Sequence, residues 1–185
     1  MAGGYTLYRP TEEKNYTSKN EMLDSLVGLL GGRVAEALVL GDISTGASND
    51  IQRATETARN MITKYGMSEK LGPIAFGSDN DEVFLGKNYT HTRNYSENVA
   101  AAIDEEVENI INTAYKRTET ILREHIDQLH LVSEVLIKLE KIDRVQFESL
   151  MTTGALPEEK DEETVETTVE ETVENVETTE NEENV

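Results

Sequence analysis

Helical periodicity is the feature that most constrains this chain. Met22, Leu23, Leu26, Val27, Leu29, Leu30, Val34, Leu38 and Val39 recur every three or four residues. That spacing gathers apolar side chains on one face of an α-helix. Ser18 followed by Glu21 makes a capping box at its start, so a helix is predicted from about Lys19 to Leu40. A second runs from about Ser48 to Tyr65 on the face Ile51, Ala54, Ala58, Met61 and Ile62, with Gly66 as its stop. Ser96 caps a long third helix that ends near Glu124, with Val99, Ile103, Val107, Ile110, Ala114 and Ile121 as its buried stripe. Leu129, Val132, Leu136 and Leu139 outline a fourth helix, and Asp143 caps a short fifth holding Phe147, Leu150 and Met151. The expected fold class is mainly α, a small helical bundle with minor strands.

The strand signals are short. Gly3 to Tyr8 alternates polar with aromatic or apolar residues and is stopped by Pro10. It reads either as an edge strand that receives an extended peptide or as a strand paired within the domain. Pro73–Phe76 and Glu82–Leu85 flank polar Ser78–Asp81 as a possible small hairpin. Gly31 and Gly32 each cost the first helix about 1 kcal/mol against alanine, which points to close approach of another element. Arg33 beside them reads as a structural ion-pair partner, inside the domain or between subunits.

Composition narrows the function classes. The chain has 185 residues, 37% of them apolar, and no cysteine, so disulfides, thiolate metal sites and cysteine nucleophiles are excluded. No apolar run approaches the length of a membrane span, and Met1–Pro10 lacks the basic flank and apolar core of a signal peptide. The formal net charge is −20, and residues 157–185 hold 13 acids against one lysine. This balance opposes nucleic-acid binding and docking to an anionic membrane. The valines at 165, 169, 173 and 176 supply one apolar residue per turn among acids, too little burial to offset chain entropy. Residues 152–185 are therefore expected to be a disordered acidic low-complexity tail behind a domain of residues 1–151. The tail reads first as a solvating end and second as a recruiter of basic partners.

The usual catalytic signatures are missing. The sequence has no P-loop, no G-x-S-x-G elbow and no H-E-x-x-H zinc helix. His125 and His130 are five residues apart and His91 is distant, so the histidines show no ligand spacing. Glu105 and Glu106 diverge as adjacent helical positions and read as a solvated face. One segment stands apart, Gly41-Asp42-Ile43-Ser44-Thr45-Gly46-Ala47-Ser48-Asn49-Asp50. This glycine-rich loop delivers Asp50 into the first turn of a helix, where free N–H groups and the helix dipole favour an ionised carboxylate. The same physics serves an acid that only stabilises the helix start, and one that ligates a metal.

At this point the sequence resembles the FtsH family of membrane-anchored AAA-type zinc metalloproteases. The resemblance is carried by Leu29-Leu30-Gly31-Gly32-Arg33-Val34-Ala35-Glu36, by Ser44-Thr45-Gly46-Ala47-Ser48-Asn49-Asp50-Ile51 and by Gly66-Met67-Ser68-Glu69-Lys70-Leu71-Gly72-Pro73. Val83-Phe84-Leu85-Gly86, Tyr95-Ser96-Glu97 and Ile103-Asp104-Glu105-Glu106-Val107 fit the same family. It covers about Gly3 to Met151 in order. One departure is Ala35-Glu36-Ala37, where family members usually have Ala-Glu-Glu.

The resemblance implies the C-terminal part of a mostly helical zinc-peptidase domain. It also implies a homo-hexamer below ATPase modules, anchored at the cytoplasmic face of the cell membrane and acting on protein substrates. In the family, two histidines and a glutamate base lie on an H-E-x-x-H helix before the strand that here begins at Gly3, and a later aspartate completes the zinc set. Matched by motif, that metal ligand is Asp50, and no catalytic residue falls in this chain. Zn2+ would need the histidines this sequence lacks, and ATP would be used by a module not contained here. Two readings follow: part of an ATP-dependent zinc metalloendopeptidase, inactive by itself, or a non-catalytic helical interaction and oligomerisation module on the same scaffold.

Overall fold

The computed structural model of the chain describes residues 6–7, 16–76 and 95–157. The expected strand at Gly3–Tyr8, the hairpin half at Glu82–Leu85, His91 and the acidic segment 158–185 lie wholly or largely outside these residues. Five helices are described: α1 (Lys19–Val39), α2 (Ser48–Thr63), α3 (Glu97–Glu124), α4 (Ile126–Leu139) and α5 (Arg144–Thr153). The mainly α fold class expected from periodicity is the fold observed. Among the described residues the only β-type pairing is an isolated bridge between Ser68 and Gly72. Pro73–Phe76 forms no strand.

The chain divides into two compact units, Met1–Ile126 and Asp127–Val185. In the first, α1, α2 and α3 pack against one another. Each start has a physical cause. Ser18 Oγ accepts from Glu21 N while the Glu21 side chain accepts from Ser18 N, the predicted capping box, and Ser96 Oγ accepts from Val99 N. The core is Leu26 and Leu30 of α1, Ala54, Ala58, Met61 and Ile62 of α2, and Ile103, Val107 and Ala114 of α3. The two alanines put only a methyl between α2 and its neighbours, so the helix can approach closely.

Several residues of the predicted apolar faces are not buried: in α1 to α3 these include Val39, 43% exposed, Ile51, 38%, and Ile121, 39%. In the place expected for an apolar residue, α3 buries Thr118, 3% exposed. Its hydroxyl lies 2.8 Å from Ala114 O and 3.1 Å from Val27 O, sharing its proton between its own helix and α1. A buried hydroxyl needs such a partner, and among the described residues no buried side-chain polar atom lacks one. At Gly31 and Gly32 an added Cβ would meet no atom of the described residues within 4 Å. The close approach expected there is therefore not made by any described element.

Helix α2 stops two residues earlier than predicted. Lys64 N and Tyr65 N both donate to Asn60 O, and Met67 N donates to Met61 O. Gly66 takes the left-handed conformation with φ +59°, and a Cβ there would lie 2.9 Å from Pro73 Cα. The turn thus needs glycine for its backbone sign and for space. Beyond it Phe76 N donates to Thr63 O, and its ring meets Tyr95 edge-on at 6.0 Å.

The second unit holds α5 and all but the first residue of α4. Asp143 and Gln146 form a capping box at the start of α5, and Gly154, φ +73°, closes it in the left-handed conformation. Leu150 is buried, whereas Ile137 is 81% exposed and α4 has no buried residue.

Replacing Ile103 by alanine should destabilise the chain by about 2–5 kcal/mol, since a buried side chain leaves a cavity. Ile121→Ala, the same chemistry at a partly exposed position near the end of α3, should cost less than about 1 kcal/mol. Urea denaturation followed by circular dichroism reads both, and equal losses would contradict the packing described.

Candidate functional site

The loop singled out in the sequence joins α1 to α2, and its conformation is set from α1. Gly41, φ +66°, turns the chain out of the helix. Arg33 and Glu36 stand three residues apart on α1 and so share a face. Arg33 Nη1 donates to Ser44 O at 3.1 Å. Glu36 Oε2 accepts from Ser44 N at 3.1 Å, and its Oε1 accepts from Ser44 Oγ at 2.6 Å. Ser44 Oγ accepts in turn from Gly46 N at 3.1 Å. A Cβ at Gly46 would sit 3.2 Å from that hydroxyl oxygen, so a side chain there would press on the contact. These bonds hold the Glu36 carboxyl below the usual carboxylate range. The Ser44 hydroxyl contributes most, then the Ser44 amide, with the Arg33 charge adding to both.

The loop ends at Ala47, the N-cap of α2, which is buried and has no side chain able to bond the first-turn amides. Ser48 N donates to Thr45 O instead, and Ile51 N donates to Ala47 O. Asp50 lies in that first turn as expected. Its side chain is 46% exposed, and Oδ1 stands 4.0 Å from Arg53 Nη1, at the outer limit of an ion pair. A half-exposed carboxylate so loosely paired has lone pairs to offer a cation, and its chemistry suits zinc as one ligand of several.

The rest of a donor set is not found beside it. Among the described residues no three His, Asp or Glu side chains converge closely enough to hold a metal ion. His125 caps the C-terminus of α3, exposed, and His130 is exposed on α4. The acids of α3 have other tasks. Asp104 pairs with Arg59 of α2 at 3.0 Å, Glu105 with Lys70, and Glu106 accepts from the buried Ser68 Oγ at 2.7 Å. Glu105 lies on the solvated face expected, with Lys70 as an exposed partner, whereas half-buried Glu106 ties α3 to Ser68. A surface groove of about 340 Å³ is lined by Leu23, Met67, Ser68, Glu106 and Ile110 among others. Asp50 is not part of that lining.

Sequence reasoning took Glu36 as half of a family motif and Arg33 as a generic ion-pair partner. The signal that could have found their role is an Arg and a Glu on one helix face directly before a Gly-x-x-x-x-Gly loop with a serine near its middle.

Peptidase family M41 matches the chain over residues 1–150. A relative from a Thermoanaerobacter species, named ATP-dependent zinc metalloprotease FtsH 1, is 60% identical over 149 residues, which cover 80% of this chain and 24% of the relative. Proteins named ATP-dependent zinc metalloprotease FtsH are 55% identical over 157 residues in Caldicellulosiruptor bescii and 48% over 159 residues in Bacillus subtilis. Each alignment covers 85% of this chain, and 26% and 25% of those relatives. The chain thus spans about a quarter of the length of the curated relatives it matches.

Because the Glu36 carboxyl is depressed in the folded state, its contribution to the loop is present above its ordinary pKa of about 4.3. That contribution is lost as pH falls through the lower folded value. Amide exchange at Ser44 and Gly46 should be protected at pH 6 and lose protection only as pH falls below that ordinary carboxyl value, while Leu26 in the core stays protected. Protection at Ser44 that does not change between these pH values would contradict the assignment.

Proposed function

The chain belongs to peptidase family M41, and from that premise we propose that it is the C-terminal part of the zinc-peptidase domain of an ATP-dependent FtsH-type protease, with Asp50 as one zinc ligand. The observation that carries this reading is the presentation of Asp50. It is a loosely paired, half-exposed carboxylate in the first turn of α2, delivered by a loop that two α1 side chains hold. The helix N-terminus favours the ionised form there, the form that binds a metal.

Zinc, when bound, supplies the Lewis acidity by which peptide hydrolysis proceeds at neutral pH. Asp50 would hold it, and Arg33, Glu36 and Ser44 would keep the loop in place. Two imidazoles and a glutamate base must come from an H-E-x-x-H helix that these 185 residues do not contain. A single carboxylate does not retain a catalytic zinc, which ordinarily has three protein ligands.

On this reading protein substrates, ATP use, a membrane anchor and a hexameric ring belong to the assembled protease. None of the described helices is long and apolar enough to cross a membrane. Residues 1–151 would be the peptidase-type part, supported by the family match ending at residue 150. Residues 152–185 would be an acidic tail, supported by the composition shift after Pro157, with Thr152 and Thr153 still forming the end of α5.

The 185-residue chain mixed with zinc should not cleave casein, and the intact protease should lose most of its zinc-dependent activity on Asp50→Ala. Chelator-sensitive cleavage by the chain alone, or an Asp50→Ala protease with undiminished hydrolysis, would overturn the assignment.

A further inference from the structure

Given the zinc-ligand reading of Asp50, on which this rests, we infer that Glu36 is the positioning residue that fixes where that carboxylate stands, with Arg33 as its helper. The argument starts from how α2 begins. Helices α1, α3 and α5 start on Ser18, Ser96 and Asp143, each with a side-chain oxygen bonded to a first-turn amide. Helix α2 starts on an alanine that makes no such bond. Its first turn is therefore aimed by the loop before it.

That loop is tied to α1 at one residue. Ser44 gives its amide and hydroxyl to the two oxygens of Glu36, and its carbonyl accepts from Arg33. All three polar groups of Ser44 are thus engaged from one face of α1. Its hydroxyl oxygen also takes the Gly46 amide, carrying the constraint one step closer to α2. Leu30 and Val34, on the same stretch of α1 as Arg33 and Glu36, are buried, so the clasp is mounted on a seated helix.

The same geometry separates the roles of the two acids. Both Glu36 oxygens are occupied by Ser44, while Asp50 meets only a distant guanidinium among its ion pairs. Glu36 is thereby a residue that acts through the loop, not a ligand. Residues that orient a metal ligand commonly change metal affinity 10–100-fold when removed. Arg33 is the charge that bears on Glu36 and favours its ionised state.

The test measures zinc affinity of the full-length zinc-loaded protease by chelator competition, together with amide exchange at residues 44–51. Glu36→Ala should weaken zinc binding about 10–100-fold and speed exchange at Ser44 and Gly46. Glu36→Gln keeps an oxygen for the Ser44 amide and a side-chain amide for its hydroxyl. It should stay within a few-fold of wild type and lose the pH dependence of exchange at Ser44. Asp50→Ala should abolish tight zinc binding with Ser44 exchange unchanged. Glu36→Ala with wild-type affinity and exchange would overturn the positioning role. Glu36→Gln losing zinc as completely as Asp50→Ala would make Glu36 a ligand and also overturn it. If Asp50→Ala left zinc affinity unchanged, the ligand reading itself would fail, and this inference with it.

Discussion

Everything described at the candidate site depends on how firmly α1 is seated. Leu26 and Leu30 anchor the helix in the core, Thr118 reaches across from α3 to the Val27 carbonyl, and Arg117 pairs with Asp24 at 2.6 Å. A helix advances about 1.5 Å per residue, so Arg33 and Glu36 ride only one or two turns beyond the anchored leucines. The loop contacts are themselves solvent-exposed, and exposed ionic contacts add little stability. Their value lies in direction, which is set by the buried face of the helix that bears them.

Much of this arrangement was legible in the sequence. The caps at Ser18, Ser96 and Asp143 and the stop at Gly66 are local chemistry, and local chemistry transfers from residue types to structure. The apolar stripes placed the core within a residue or two. What failed to transfer was the difference between being on the apolar face and being covered. Ile51 and Ile121 lie on the right faces yet near helix ends, where they stay 38% and 39% exposed. Thr118 was missed for the opposite reason, since a hydroxyl enters a core when a carbonyl of a neighbouring helix lies within reach, which periodicity does not encode.

The candidate site divides the same way. Asp50 could be placed at a helix N-terminus from sequence spacing, because a glycine loop followed by a helical pattern fixes that position. Its zinc role came from resemblance and not from spacing, since a lone carboxylate at a helix start serves stability equally well. The clasp at Ser44 was invisible: it joins residues eight and eleven apart across a turn, a separation with no periodic signature. Alanine at the α2 N-cap, which looks like a poor choice by propensity, is understandable once the loop is seen to be held from α1.

The run Asp104-Glu105-Glu106 has a consequence for how α3 is set. Successive residues on a helix point about 100° apart, so these three acids span about 200°, a little over half of its circumference. One reaches α2 through Arg59, the next reaches Lys70, and the third reaches Ser68. Rolling the helix about its long axis in either sense would shorten no contact without breaking another. Apolar packing alone tolerates such a roll when side chains are similar in volume. The two exposed pairs add little by themselves, but with the half-buried Glu106–Ser68 contact they favour one angular setting of α3 over its neighbours.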